Sequence, residues 1–279
     1  MSLTTAPVPG QAWAFRCDVS SAHNLLIAAI GIQLALMLPS LAAVVVDDRL
    51  LNGVSVWSKP LKFQASLIMM LGTLAILLPL IESAAKNGWG VWIACLVAAM
   101  TASGEILYIT LQAARGRASH FNSETPIETL AYGLMGIGAA LLVLSSLAIG
   151  LYLLMRPAAD APRGLQLGGG WGLVLGSILT LVTAFALGSG RIGGPGHWVG
   201  GVHSDADGLF LFGWSRSGGD LRVAHFFATH IMQALPILGV LLGAIAPRLL
   251  IPGLLAGSVF SIAVVVGTFV QAIMGRPFL

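Results

Sequence analysis

Two histidines, a glutamate and a few amides lie inside stretches of sequence that are otherwise apolar, and these residues have the means to do chemistry. His230 stands about seven residues into an apolar run, roughly 10 Å along a helix axis, and Gln233 follows on the same helical face. On an earlier run, Thr101, Glu105, Tyr108 and Gln112 recur at spacings of 4, 3 and 4, which makes one polar stripe. Glu105 lies about 9 Å from the end of its run at the same 1.5 Å rise, so it matches His230 in depth. An ionisable group at that depth ordinarily faces a bundle interior or a wet cavity. The two stripes are therefore expected to share one polar cavity, with Glu105 and His230 as an acid–base pair.

Other residues surround this pair. His120, His225 and His230 are the candidate ligands of a cofactor, and His203, His225 and His230 those of a metal ion. His225 and His230 are five residues apart, about 140° around a helix, so an undistorted helix cannot aim both at one metal. Trp57, Lys59, Tyr108, Gln112, Arg222 and Gln233 are the candidate contacts for a small substrate. Simpler roles exist for several of them. Trp57 and Lys59 suit a membrane interface, where aromatics settle and lysines snorkel. Asp220 is placed to cap a helix at the amide of Arg222 or Val223. Thr125-Pro126-Ile127-Glu128 reads as a capping box with Pro at the first helical position, which accounts for Glu128. The run from His203 to Trp214 fails as a calcium loop, having His where the first ligand and Trp where the last should be. No phosphate loop or dinucleotide fingerprint is present. Lys59, Lys62 and Lys86 are the only lysines, so the last span has none to carry a retinal Schiff base.

The elements that must position these groups are transmembrane helices. Of 279 residues, 57% are hydrophobic and 9% charged, against roughly 25% charged in an average soluble domain. The apolar residues form blocks of about 20, the length that crosses a bilayer core. Spans are expected over 25–46, 61–81, 90–111, 127–155, 168–187, 223–245 and 249–273, after a short tail, 1–24. The fold class is thus an all-α membrane bundle of about seven helices, one domain over 25–279. Pro39, Pro79 and Pro236 fall inside spans, where neighbours satisfy the freed carbonyls. Gly168, Gly172 and Gly176 make a close-packing face on the fifth span. The connection 188–222 is long and mixes glycines with Trp198, Phe210, Phe212 and Trp214, which favours an ordered loop capping one face.

Seven spans put the termini on opposite sides. Nine basic residues fall on the C-terminal side against five on the other (Arg16, Lys86, Arg156, Arg163 and Arg248). By the positive-inside rule the C-terminal side is cytoplasmic, as in a prokaryotic-type inner membrane. Seven of the eleven carboxylates and four of the six histidines gather on that same face. Cys17 and Cys95 make neither a disulfide framework nor a metal knuckle, and the net charge of +3 is too scattered for nucleic acid. The partners implied are the lipid bilayer and a small-molecule or lipid ligand. The leading functional expectation is a membrane redox protein holding haem b or a single metal ion on His230 and a second histidine. The alternatives are a membrane-embedded enzyme acting on a lipid or isoprenoid, and a small-molecule transporter using the same stripe. A transporter needs a water-lined path to the N-terminal face, whereas a lipid enzyme needs a cavity closed there.

Overall fold

The computed structural model describes residues 21–193 and 196–279. Arg16, Cys17 and most of the expected tail lie outside the described residues. The chain runs through α1 (Ala22–Val46), the ribbon β1 (Leu50–Leu51) and β2 (Val54–Ser55), α2 (Ser58–Leu77), the short α3 (Ser83–Lys86), α4 (Trp89–Ala114) and α5 (Pro126–Met155). There follow α6 (Arg163–Gly188), β3 (Trp198–Val199), β4 (Gly219–Asp220), α7 (Leu221–Ile245) and α8 (Leu250–Ile273). Seven helices among the described residues are long and apolar enough to cross a membrane, one for each expected span. The second ends in a tight turn of 3-10 helix at Leu78–Leu80, where Pro79 stops the regular ladder.

Two caps read from the sequence are present. Thr125 Oγ1 accepts from the Glu128 amide at 3.2 Å at the start of α5, and Asp220 Oδ1 accepts from the Arg222 amide at 3.0 Å at the start of α7. Each satisfies a first-turn N–H that has no partner within its own helix. The long loop is ordered: β3 pairs antiparallel with β4, Trp198 opposite Asp220, so its start is tied to the head of α7.

Lipid tails are as apolar as leucine, so helices in a bilayer associate by close packing rather than by escaping water. The α6–α7 interface is the most extensive in the bundle and is made by glycine. A Cβ on Gly168 would stand 2.5 Å from the Leu235 carbonyl oxygen, one on Gly172 2.8 Å from Pro236 Cδ, and one on Gly176 2.6 Å from Met232 Cγ. One turn earlier, Gly164 and Gly239 meet backbone to backbone. The close-packing face thus extends a turn beyond the expected three glycines. On its other sides α6 packs against α5, while α1, α2 and α4 form a second group that α4 joins to α5.

The main apolar core fills the half of the bundle nearer the N-terminus. Leu26 of α1, Leu71, Leu74 and Leu77 of α2, Cys95, Ala98 and Ala102 of α4, and Ile149 and Leu153 of α5 are buried in it. The opposite half holds most of the ionisable residues. Gly168→Ala is expected to cost about 1–3 kcal/mol, the usual price of overpacking a tight contact, because the obstructing atom is backbone. Gly267→Ala, where an added Cβ meets nothing within 4 Å, should leave the thermal midpoint in detergent unchanged or slightly raised. Equal midpoints for the two variants would show that the glycine face carries no packing.

Candidate functional site

The face that carries the charges is organised by Arg222, one residue inside α7. Its Nη2 donates to Asp205 Oδ1 at 2.8 Å, to Asp220 Oδ2 at 2.7 Å and to the Gly213 carbonyl at 2.6 Å. Asp220 Oδ2 also accepts from the Ser215 amide at 3.0 Å, and the Asp205 amide donates to the Asn52 carbonyl at 2.9 Å. One guanidinium therefore holds three points of the long loop, and Asp205 hands the link on to the β1–β2 ribbon. His197 Nε2 lies 3.4 Å from Asp205 Oδ1. Burial works to raise the Asp205 carboxyl, but the hydrogen bond from His197 and the charge of Arg222 outweigh it and hold Asp205 below its ordinary range. Arg222 is thus committed to the loop, which leaves little of it for a substrate.

A second lock closes the connection from α4 to α5. Arg117 Nε and Nη2 grip both oxygens of Glu128 at 2.5 and 2.6 Å. Gln112 Nε2 donates to Glu128 Oε1 and to the Ala118 carbonyl, and its Oε1 accepts from Arg115. Gln112, expected to contact substrate, is buried and bonded at both ends of its amide. Trp57 is similarly engaged, its Nε1 donating to Asp47 Oδ2 at 2.7 Å. Arg49 binds the same carboxylate twice, and Arg49 first, then Trp57, holds Asp47 well below the usual carboxylate range.

Two further ionisable groups stand apart from these locks. Lys59, in the first turn of α2, and Glu105, in α4, are close enough for each to feel the other's charge. No ion pair or hydrogen bond joins them or engages either group among the described residues. Glu105 is 9% exposed, and neither its oxygens nor Lys59 Nζ are sealed from open space. The two groups are thus neighbours of opposite type that do not touch. Phe63 lies beside Lys59, its ring centroid 5.8 Å from Lys59 Nζ. The His120 ring packs 5.4 Å from Phe63 and 6.0 Å from Tyr132. Burial, reinforced by the charge of Lys59, holds the His120 imidazole well below its ordinary range. Tyr108 OH is sealed and unpartnered one turn beyond Glu105. Toward the N-terminal face Ala102 and Ala98 follow Glu105 on its helix, and the buried Gln33 of α1 donates to the Ala102 carbonyl at 3.4 Å.

His230 is placed differently from expectation. Helices α4 and α7 do not form a packed interface, and α2 stands between them. His230 stacks on Phe226, centroids 3.9 Å apart, and its Nδ1–H donates to the Phe226 carbonyl at 2.7 Å, which leaves Nε2 free. Gln233 reaches α2 and donates to Thr73 Oγ1 at 3.1 Å. The two stripes thus converge on opposite sides of α2 instead of on each other. His225 Nδ1 meets Thr183 Oγ1 at 3.2 Å on the α6 side, and His203 stacks on Trp198 in the loop, centroids 5.4 Å apart. His203, His225 and His230 are therefore not brought together, and among the described residues no three His, Cys, Asp or Glu side chains could hold a metal ion. The reason is the angular one: residues five apart on a straight helix point to different neighbours.

Neither a family model, nor a curated protein, nor a solved structure matches the chain. The residues that sequence reasoning passed over are Phe63, Thr73, Thr183 and the carboxylate of Asp205. Phe63 was within reach, since it lies one turn after Lys59 on the same helical face. Thr73 and Asp205 gave no local signal.

The buried imidazoles make stability depend on pH. His197 is also held below its ordinary range, chiefly by burial. An unfolded chain protonates such groups near pH 6.5, while the folded chain takes up fewer protons, so acid favours unfolding. The thermal midpoint in nanodiscs should fall as pH drops from 7.5 to 5.5. His120→Phe, which fits the aromatic wall of Phe63 and Tyr132, should flatten part of that fall. An identical slope in the variant would place His120 in water.

Proposed function

We propose that the chain is a membrane-embedded enzyme that performs acid–base chemistry on the polar head of a small ligand held between Lys59 and Glu105. The observation that carries this reading is a lysine and a glutamate near enough to feel each other that neither touch nor pair with another side chain among the described residues. A purely structural pair would close to contact, because an unpaired charge out of water is costly. Glu105 is the group to give or take a proton at an oxygen of the ligand. Lys59 is the group to stabilise the negative charge that results. We place the face that carries Lys59 and the long loop in the cytoplasm, on the excess of basic residues there.

The test is what the purified protein carries. Native mass spectrometry of the wild type, Glu105→Gln and Lys59→Gln should show a bound small molecule retained in the Glu105 variant and lost in the Lys59 variant. The same bound complement in all three proteins would overturn the proposal.

One observation favours a redox reading beside it. A metal-bound imidazole characteristically donates its other N–H to a carbonyl or carboxylate, and His230 does so to Phe226 while Nε2 stays free. Haem held through that single nitrogen would give the purified protein a Soret band that His230→Ala abolishes. An absorption spectrum without one, together with no stoichiometric metal, would remove this reading.

A further inference from the structure

The loop between α6 and α7 folds into two walls that are held together at both ends and apart in the middle. At one end glycines let the backbones meet. A Cβ on Gly201 would stand 2.6 Å from the Ser217 carbonyl oxygen, and one on Gly218 would run into the Gly200 carbonyl. Gly201 has a φ of 68°, which glycine adopts at no steric cost. At the other end a Cβ on Gly208 would stand 2.7 Å from the Gly213 backbone, and the Leu209 amide donates to the Trp214 carbonyl at 2.8 Å. Between these pins the segments 202–208 and 215–217 leave a cleft of about 340 Å³, lined by Val202, Ser204, Asp207, Ser215, Arg216 and Ser217. Ligand sites usually measure about 300–1,000 Å³. Arg222 fixes both walls: Asp205 belongs to the first, and Asp220, which accepts from the Ser215 amide, holds the second.

The hydroxyls of the second wall are engaged on one side only. Ser215 Oγ accepts from the Ser217 and Gly218 amides at 3.3 and 3.2 Å, which fills both its lone pairs. Its O–H is therefore the donor in the 3.5 Å contact with Ser217 Oγ. Ser217 Oγ also accepts from the Val202 amide at 3.0 Å, so its own O–H is left without an acceptor among the described residues. Beside it the exposed Arg216 guanidinium has no ion pair among the described residues, and the same holds for the exposed Asp207 on the facing wall.

This lining is directional. One wall offers a planar fork of donors and a hydroxyl, which suits an anion with several oxygens. The facing wall offers a carboxylate, an acceptor for an ammonium. None of these residues belongs to α2 or α4, which carry Lys59 and Glu105. The second wall leads straight into α7, which places the cleft beside the headgroup layer of the bilayer.

We propose that the cleft binds a small zwitterion carrying a phosphoryl group and a primary ammonium, the chemistry of phosphoethanolamine. The phosphoryl oxygens take the Arg216 fork and the Ser217 O–H, and the ammonium donates to Asp207. The group is supplied either as a free phosphate ester or as the head of a membrane lipid.

Calorimetric titration of the full chain, in maltoside micelles and in phosphatidylcholine nanodiscs, tests the site and separates the two sources. O-phosphoethanolamine should bind saturably and about tenfold more tightly than inorganic phosphate, the worth of one charge-assisted hydrogen bond. Arg216→Gln should abolish binding of both. Asp207→Asn should remove the preference and leave phosphate binding in place. Both side chains are exposed, so the thermal midpoint of each variant should match the wild type. Phosphatidylethanolamine added to the nanodiscs should suppress titration of the free ester if the lipid head is the occupant, and leave it unchanged if the ester is. No saturable binding in either setting, equal affinity for inorganic phosphate, or binding that survives Arg216→Gln would each overturn the proposal.

Discussion

The contact on which the rest of the bundle depends is the backbone-to-backbone approach of α6 and α7. Four glycines on α6 let the carbonyls and Pro236 of α7 come closer than any side chain would allow. In a bilayer this closeness replaces the hydrophobic drive that packs soluble helices, since dispersion and short polar contacts act only over such distances. With α7 fixed on α6, its opposite side is free of tight packing. That side carries Phe226, His230 and Gln233 toward α2, so a stripe of small residues on one helix decides where the polar residues of the next one point.

Arg222 then converts the position of α7 into the position of the long loop. Its guanidinium is one residue into the helix, so the geometry of α7 dictates where Asp205, Asp220 and the Gly213 carbonyl must come. An arginine suits this task because its planar fork of donors can serve several acceptors at once. The loop so held contributes Phe212 to the gap between α2 and α7. The β1–β2 ribbon is drawn in through Asn52. Lys59 stands half-buried in the first turn of α2, without a hydrogen-bond partner among the described residues.

The separation of Lys59 from Glu105 contrasts with the ion pairs of the same face. Arg117 grips Glu128, Arg49 grips Asp47, and Arg222 grips Asp205 and Asp220, all at hydrogen-bonding distance. Lys59 and Glu105 are the pair on this face that feel each other and stay apart. Leu71, Leu74, Ala98 and Ala102 pack in the apolar core toward the other face.

The sequence by itself determined the seven spans, their boundaries to within a few residues, the caps at Thr125 and Asp220, the glycine face of α6 and the ordered loop. These follow from local physics: backbone bonds must be satisfied within a helix in lipid, and length, caps and small-residue spacing are all written over a few turns. The depth of Glu105 and His230 was also legible, because rise per residue is constant. Which helices flank which was not. Equal depth suggested that Glu105 and His230 meet, but depth says nothing about azimuth, and only the packing of α2 between α4 and α7 assigned Glu105 to Lys59 and His230 to Phe226. In the same way Gln112 and Arg222 read as free polar groups until tertiary contacts 16 and 17 residues away in sequence engaged them. Lipid-packed helices share one apolar exterior, so the sequence carries little record of which neighbour each face will find.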